Sequence, residues 1–216
     1  VYAFGQNFTI TPIQMITACA AVANGGYLVE PQVVSKIIDD DGNIIESFDT
    51  TVKRQVISKE TSERISKILN LNATTGTAKN GYVAGYQICG KTGTSEKVAK
   101  FYEEGGPGKA TMQYIASYCG FAPVDDPEIA MLIFFDEPQG SNYYGGSVAG
   151  PVFAKIMSEV LPYLGIEPKY TQEELSQLDG VAPDVVTHDV EQAQTEVENA
   201  GFDAIVYGDG DTVLSQ

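Results

Sequence analysis

Lys91 stands inside two overlapping patterns, and each implies its own chemistry. Gly85-Tyr86-Gln87-Ile88-Cys89-Gly90-Lys91-Thr92 fits the template of a phosphate-binding loop. In such a loop backbone amides cradle phosphates and the lysine reaches the outer ones. Lys91-Thr92-Gly93-Thr94 fits a different use, an extended strand whose edge receives a peptide. There the ammonium serves a carboxylate or a proton relay, and the Thr92 hydroxyl binds a carboxylate. Gly93 removes a side chain where a substrate backbone approaches. The Thr94 amide can donate toward a developing oxyanion.

The flanking residues separate the two. A phosphate-binding loop needs a buried strand before it and a helix immediately after it. Upstream stands Thr77-Ala78-Lys79-Asn80-Gly81, which is no buried strand, and downstream Gly93-Thr94 is a poor helix start. Tyr86 to Cys89 favours extended structure. The nucleotide-hydrolase reading draws on one more piece, the apolar run Ile129 to Phe135 followed by Asp136-Glu137, which also reads as a strand end and turn. The strand reading is preferred, with Lys91 to Thr94 converging on one peptide carboxylate. The chain has one histidine, His188. A multi-histidine zinc site is therefore excluded. Acyl transfer here must use a base other than histidine, and lysine is the candidate.

Several elements must position this strand. Thr11, Pro12 and Gln14 read as N-cap, first helical residue and capping box of a helix over 11–24, stopped by Gly25-Gly26. Residues 33–38 and 44–48 read as a hairpin across Asp41-Gly42-Asn43. Residues 59–71 read as a helix presenting Ile65, Ile68 and Leu69. Strands follow at 86–94, 113–122 and 129–135, the last two joined by the short loop from Pro123 to Pro127. A helix over 148–164 carries Val152, Ile156 and Val160 along one line and Phe153, Met157 and Leu161 beside it. Residues 165–180 are polar and read as linker. Residues 181–216 read as a small unit: an extended 181–186, a helix near 189–200, a strand over 202–207, the turn Gly208 to Asp211 and a short last strand. So few residues bury little core, and the unit reads as cut short.

The motifs extend into a collinear resemblance. Gly5 to Gln14, the helix end at Asn24-Gly25-Gly26, Gly90-Lys91-Thr92-Gly93-Thr94, Tyr114-Ile115-Ala116-Ser117 with Gly120-Phe121-Ala122-Pro123, Asp136-Glu137-Pro138, Tyr143-Tyr144-Gly145-Gly146 and Ala149 to Phe153 together resemble class B penicillin-binding proteins. Residues 181–216 resemble the first part of a PASTA module, through Pro183-Asp184-Val185-Val186, Ala193, Ala200-Gly201 and Val213 to Gln216. The resemblance implies an α+β fold, the C-terminal part of a serine β-lactamase/transpeptidase-like domain with an antiparallel sheet flanked by helices, over 1–166. A linker at 167–180 and a small α/β module at 181–216 complete the expected organisation.

The resemblance also implies peptidoglycan D,D-transpeptidation through a serine acyl-enzyme, with β-lactams as inhibitors and stem peptides as substrates. Lys91 and Thr94 would act in catalysis; Lys91, Thr92, Gly93 and Thr94 would bind substrate. No metal or organic cofactor is implied. The family's Ser-x-x-Lys and Ser-x-Asn motifs are not found in these residues. Both precede the matching segment in the family, so the chain is expected to be inactive alone and its parent to be membrane-anchored upstream, at the extracytoplasmic face. Ser95-Glu96 stand where the family usually has Ala-Gln, which brings a negative charge near a carboxylate site. A noncatalytic wall-binding or β-lactam-sensing module shares the same strand, and the PASTA-like tail serves either wall contact or spacing.

The composition is consistent with this reading. Hydrophobic residues make up 43% and charged ones 19%, enough for a folded domain. A net charge of -16 repels phosphate backbones and speaks against nucleic acid as a partner. Cys19, Cys89 and Cys119 lack metal-ligand spacing, and an odd count supports no disulfide framework.

Overall fold

The computed structural model describes residues 9–177, 183–199, 204–206, 208 and 210–213. The chain divides into two compact units, Val1–Lys169 and Tyr170–Gln216. The first unit opens with α1 (Pro12–Ala23), for which Thr11 and Gln14 form the expected capping box. The φ angles of +84° and +95° at Gly25 and Gly26 end the turn that follows. A Cβ on Gly26 would lie 2.0 Å from the Ile57 carbonyl oxygen, so that position accepts only glycine.

Two small antiparallel pairs follow. β1 (Tyr27–Val29) pairs with β4 (Val52–Gln55), and β2 (Lys36–Ile38) with β3 (Ile44–Ser47). The β2–β3 ribbon is the expected hairpin. Asp39 shapes its turn by accepting the amides of Asp41 and Asn43.

α2 (Lys59–Thr75) is longer than expected, and its buried row is shifted from the expected face, with Ile65 and Leu69 half-buried beside it. The buried residues are Ser62, Ser66 and Ala73, whereas Ile68 stays 59% exposed. Small side chains let this helix approach closely, and the hydroxyls are satisfied by main chain. Ser62 Oγ donates to Val22 O (2.5 Å) and Ser66 Oγ to Ser62 O (2.9 Å). A 3-10 turn, Lys79–Gly81, leads toward the main sheet.

That sheet has three antiparallel strands in the order β5 (Cys89–Glu96), β6 (Tyr114–Ala122), β7 (Ile129–Asp136). Its first strand begins three residues later than expected, because Gln87 adopts φ +46° and breaks the extended run. Between β5 and β6 lies a short helix, α3 (Val98–Glu103). The helix expected at 148–164 is α4 (Gly145–Tyr163). It buries Phe153, Met157 and Leu161, the i, i+4, i+8 row that lies on the sheet. Val152, on the other expected row, is 37% exposed. Tyr118 and Phe121 of β6, Ile88 and Cys89 complete the fully buried centre. Cys89 donates to Ser66 O (3.3 Å), and burial pushes its thiol up to about 12.

In the second unit, α5 (Gln172–Gln177) occupies part of the stretch read as linker. Thr171 and Glu174 cap it reciprocally, a signal present in the sequence. α6 (Val190–Asn199) is the expected helix, started by Asp189, which accepts the Glu191 amide. Asp189 also bridges Thr212 in antiparallel fashion. Residues 183–186 and 204–206 carry no strand, and the rest of the two strands expected at 181–186 and 202–207 lies outside the described residues.

Candidate active-site strand

β5 is an edge strand: β6 pairs with one side, and among the described residues no strand pairs with the other. Lys91 pairs with Cys119, Thr92 with Tyr118, Gly93 with Ser117 and Thr94 with Ala116. Alternation therefore divides the four residues between the two faces. Thr92 and Thr94 lie on the face covered by α4, with Tyr118 and Ala116. Lys91 and Gly93 lie on the other, with Cys119 and Ser117. The four residues expected to converge on one carboxylate therefore do not share a face of the strand. Lys91 bends round the open edge, and its Nζ donates to the Thr92 carbonyl oxygen at 2.7 Å.

Helix α2 secures the start of that edge. Asn70 Nδ2 donates to Ile88 O (3.0 Å) and Asn72 Nδ2 to Gly90 O (2.8 Å). These amides do what a neighbouring strand would do, and they stop at Gly90. Among the described residues, Lys91 Nζ is the side chain that meets the edge at Thr92 O.

The two threonine hydroxyls are each held by a second element. Gly145, the first residue of α4, donates its amide to Thr94 Oγ1 at 3.1 Å. With that lone pair occupied, the Thr94 hydrogen is available outward. Thr92 Oγ1 lies 3.3 Å from Thr77 Oγ1. Gly145 comes this close because it has no side chain. A Cβ there would sit 2.1 Å from Gly93 O and 2.3 Å from Ser117 O. A Cβ on Gly93 would meet Ser117 Oγ at 2.5 Å, so a larger residue there would make that hydroxyl rotate away.

Aromatic and ionic contacts fix the surroundings. Tyr114, opposite Glu96, stacks on Tyr143 with centroids 4.0 Å apart, and Tyr143 meets Tyr144 at 4.7 Å. This stack holds the residue before α4 beside the end of β5. Beyond Glu96, Lys97 Nζ contacts Asp136 Oδ1 and Glu137 Oε1, each at 2.6 Å, and Lys100 Nζ contacts the same Glu137 oxygen at 2.5 Å. Lys100 and then Lys97 hold the Glu137 carboxyl below its ordinary value. Asp136 and then Glu137 hold the Lys97 ammonium above its own. Asp136-Glu137 is thus the strand end and turn, with Glu137 at φ +52°.

Below the site, Tyr118 Oη donates to Ala78 O at 2.9 Å. Its ring leaves no room at two glycines, since a Cβ on Gly81 or Gly90 would lie 2.2 Å from Cζ or 2.0 Å from Oη respectively. Burial raises the Tyr118 phenol well above its usual value. Asn70, Asn72, Thr77 and Gly145 were not singled out from the sequence as site residues. The one available signal was Asn70-Leu71-Asn72 near a helix end, where asparagine is a poor helix former and a good hydrogen-bonding partner.

Lys91 and Thr92 sit in mid-strand, and the next helix is α3 at Val98. A phosphate-binding loop places those two residue types at a helix start. An antiparallel edge strand carrying Lys-Thr-Gly-Thr, covered by α4 on one face and tied to α2, is the C-terminal part of a serine β-lactamase/transpeptidase-like fold. The penicillin binding protein transpeptidase domain matches residues 1–158, and the chain belongs to that family. It is 36% identical over 222 residues to stage V sporulation protein D of Bacillus subtilis, covering 99% of this chain and 33% of that protein. It is 30% identical to the peptidoglycan D,D-transpeptidase FtsI of Escherichia coli, over 77% of this chain and 26% of that one. Penicillin-binding protein A from M. tuberculosis, solved as an imipenem acyl-enzyme, shares the fold. It gives a TM-score of 0.59 at 23% identity, over 73% of this chain and 33% of that chain. The chain thus spans about a third of the length of stage V sporulation protein D.

Proposed function

We propose that these residues form the substrate-binding side of a peptidoglycan D,D-transpeptidase. The observation that carries the reading is the open edge of β5, where Thr92 and Thr94 hydroxyls are held by Thr77 and by the first amide of α4. A stem peptide lies along that edge as an added strand. Its terminal carboxylate takes the hydroxyls of Thr92 and Thr94, with the Lys91 ammonium nearby. A serine oxygen, deprotonated by lysine, attacks the carbonyl of the D-Ala-D-Ala bond. The Thr94 amide stabilises the oxyanion, and the terminal D-Ala leaves as the protonated amine. An amine of a neighbouring stem peptide then attacks the ester, forming the cross-link and releasing the serine. β-Lactams enter as mimics of the donor and stop at the acyl-enzyme.

The nucleophile belongs to a Ser-x-x-Lys motif that these residues do not contain. The reading places the protein at the extracytoplasmic face of the cell membrane, where peptidoglycan is cross-linked, and treats residues 181–216 as a PASTA-like module. A fluorescent penicillin tests the proposal. The full-length protein should carry a label that survives denaturation, and the 216-residue chain alone should carry none. An unlabelled full-length protein, or a labelled chain, would overturn it.

A further inference from the structure

We infer that Thr77 is a positioning residue that sets the direction in which the Thr92 hydroxyl donates. The inference rests on the reading of Thr92 as a carboxylate ligand. It starts from Asn72, whose amide orientation is fixed. Its nitrogen donates to Gly90 O (2.8 Å), so its oxygen is the end offered to Thr77. Thr77 Oγ1 donates to that oxygen at 3.4 Å and lies 3.3 Å from Thr92 Oγ1. Each hydroxyl carries one hydrogen. With the Thr77 hydrogen on Asn72, the Thr92 hydrogen points at Thr77, and Thr92 shows lone pairs to the cleft. That arrangement repels a carboxylate.

The opposite arrangement requires only two hydroxyl rotations. Thr77 turns its hydrogen from Asn72 to Thr92, and Thr92 turns its own to the carboxylate. Both oxygen–oxygen distances are long beside the roughly 2.8 Å of a settled hydroxyl bond, so neither arrangement is locked. The heavy atoms are already placed for both. A Cβ on Gly76 would lie 2.2 Å from Asn72 Oδ1, so only glycine lets the chain pass there on its way to Thr77. Gly146 of α4 presses on the other side, where a Cβ would meet Thr77 O at 2.7 Å and Thr92 Cγ2 at 3.3 Å. Asn80 Nδ2 ties the same segment to Gly146 O at 3.0 Å. Thr77 is thus held between α2 and α4, with its hydroxyl as the movable part.

The test compares acylation rates of the full-length protein with benzylpenicillin and with its methyl ester, which lacks the carboxylate charge. Thr77→Val keeps the shape and removes the hydroxyl; Thr77→Ser restores it. Wild type should prefer the free carboxylate. Thr77→Val removes the acceptor that competes for the Thr92 hydrogen and should raise that preference on the order of 3–10-fold, the worth of one hydrogen bond, while ester acylation holds, and Thr77→Ser should bring it back to wild type. A Thr77→Val preference equal to wild type would overturn the role of Thr77 alone. Loss of both reactions together would overturn it too, as a purely structural effect. No preference in wild type would instead remove the carboxylate reading on which it stands.

Discussion

Replacing Gly145 by alanine should separate α4 from the sheet. The added Cβ would sit 2.1 Å from Gly93 O and 2.3 Å from Ser117 O, both main-chain atoms with nowhere to go. Restoring ordinary contact at about 3.4 Å requires the helix start to retreat by more than about 1 Å, and overpacking of this kind costs about 1–3 kcal/mol. The same retreat stretches the 3.1 Å bond from Gly145 N to Thr94 Oγ1 beyond hydrogen-bonding reach. That loss adds about 1 kcal/mol. Alanine's better helix propensity returns less than about 1 kcal/mol. The net destabilisation is roughly 1–4 kcal/mol, which for a chain of this size lowers Tm by about 2–16 °C. Thermal unfolding followed by circular dichroism reads it. Gly210→Ala, where a Cβ meets nothing within 4 Å, serves as the control and should stay within about 0.5 kcal/mol. A Gly145→Ala protein melting with or above wild type would refute the close approach of α4 to β5.

Three further outcomes follow from the same contacts. Tyr118→Phe leaves the buried Ala78 carbonyl without its donor and should cost about 1–3 kcal/mol in urea unfolding. Asn70→Ala strips the Ile88 carbonyl of its bond from α2 and should cost about 1 kcal/mol in the same assay. Glu137→Gln should flatten the acid limb of stability against pH. The folded carboxyl is held below its ordinary 4.5 by Lys100 and Lys97, so its contribution is present above that value and fades as pH falls through the lowered one. Added salt should shrink the difference, since these groups are solvent-accessible.

Local signals were legible where one residue type has one use. Thr11, Pro12 and Gln14 announced α1, and the Asp41-Gly42-Asn43 turn announced the β2–β3 ribbon. Lys91 to Thr94 read as a strand because its neighbours could not build a phosphate loop, and β5 places them there. On α2, Ile65 and Leu69 are half-buried as hydrophobicity suggests, but Ile68 is exposed and the most buried row is polar. That row holds Ser62 and Ser66, whose hydroxyls bond to main chain and whose small size permits close packing. The strand expected to start at Tyr86 starts at Cys89, since the positive φ of Gln87 has no sequence signature. The partners of the two threonines were illegible for a deeper reason. Thr77 and Gly145 lie 15 and 51 residues from the hydroxyls they serve, and only the packing of α2 and α4 on β5 brings them there. Alternation along β5 was readable, however, and it already placed Lys91 on the face opposite Thr92 and Thr94.

On the proposed function, a peptide's carboxyl end lies against the open edge of β5. The most direct measurement is a crystal structure of the full-length protein acylated by benzylpenicillin. The carboxylate should lie within hydrogen-bonding distance of Thr92 Oγ1 and Thr94 Oγ1, with the ligand amide paired to the outer edge of β5. A bound acyl group whose carboxylate points away from both hydroxyls, with that edge left empty, would contradict it.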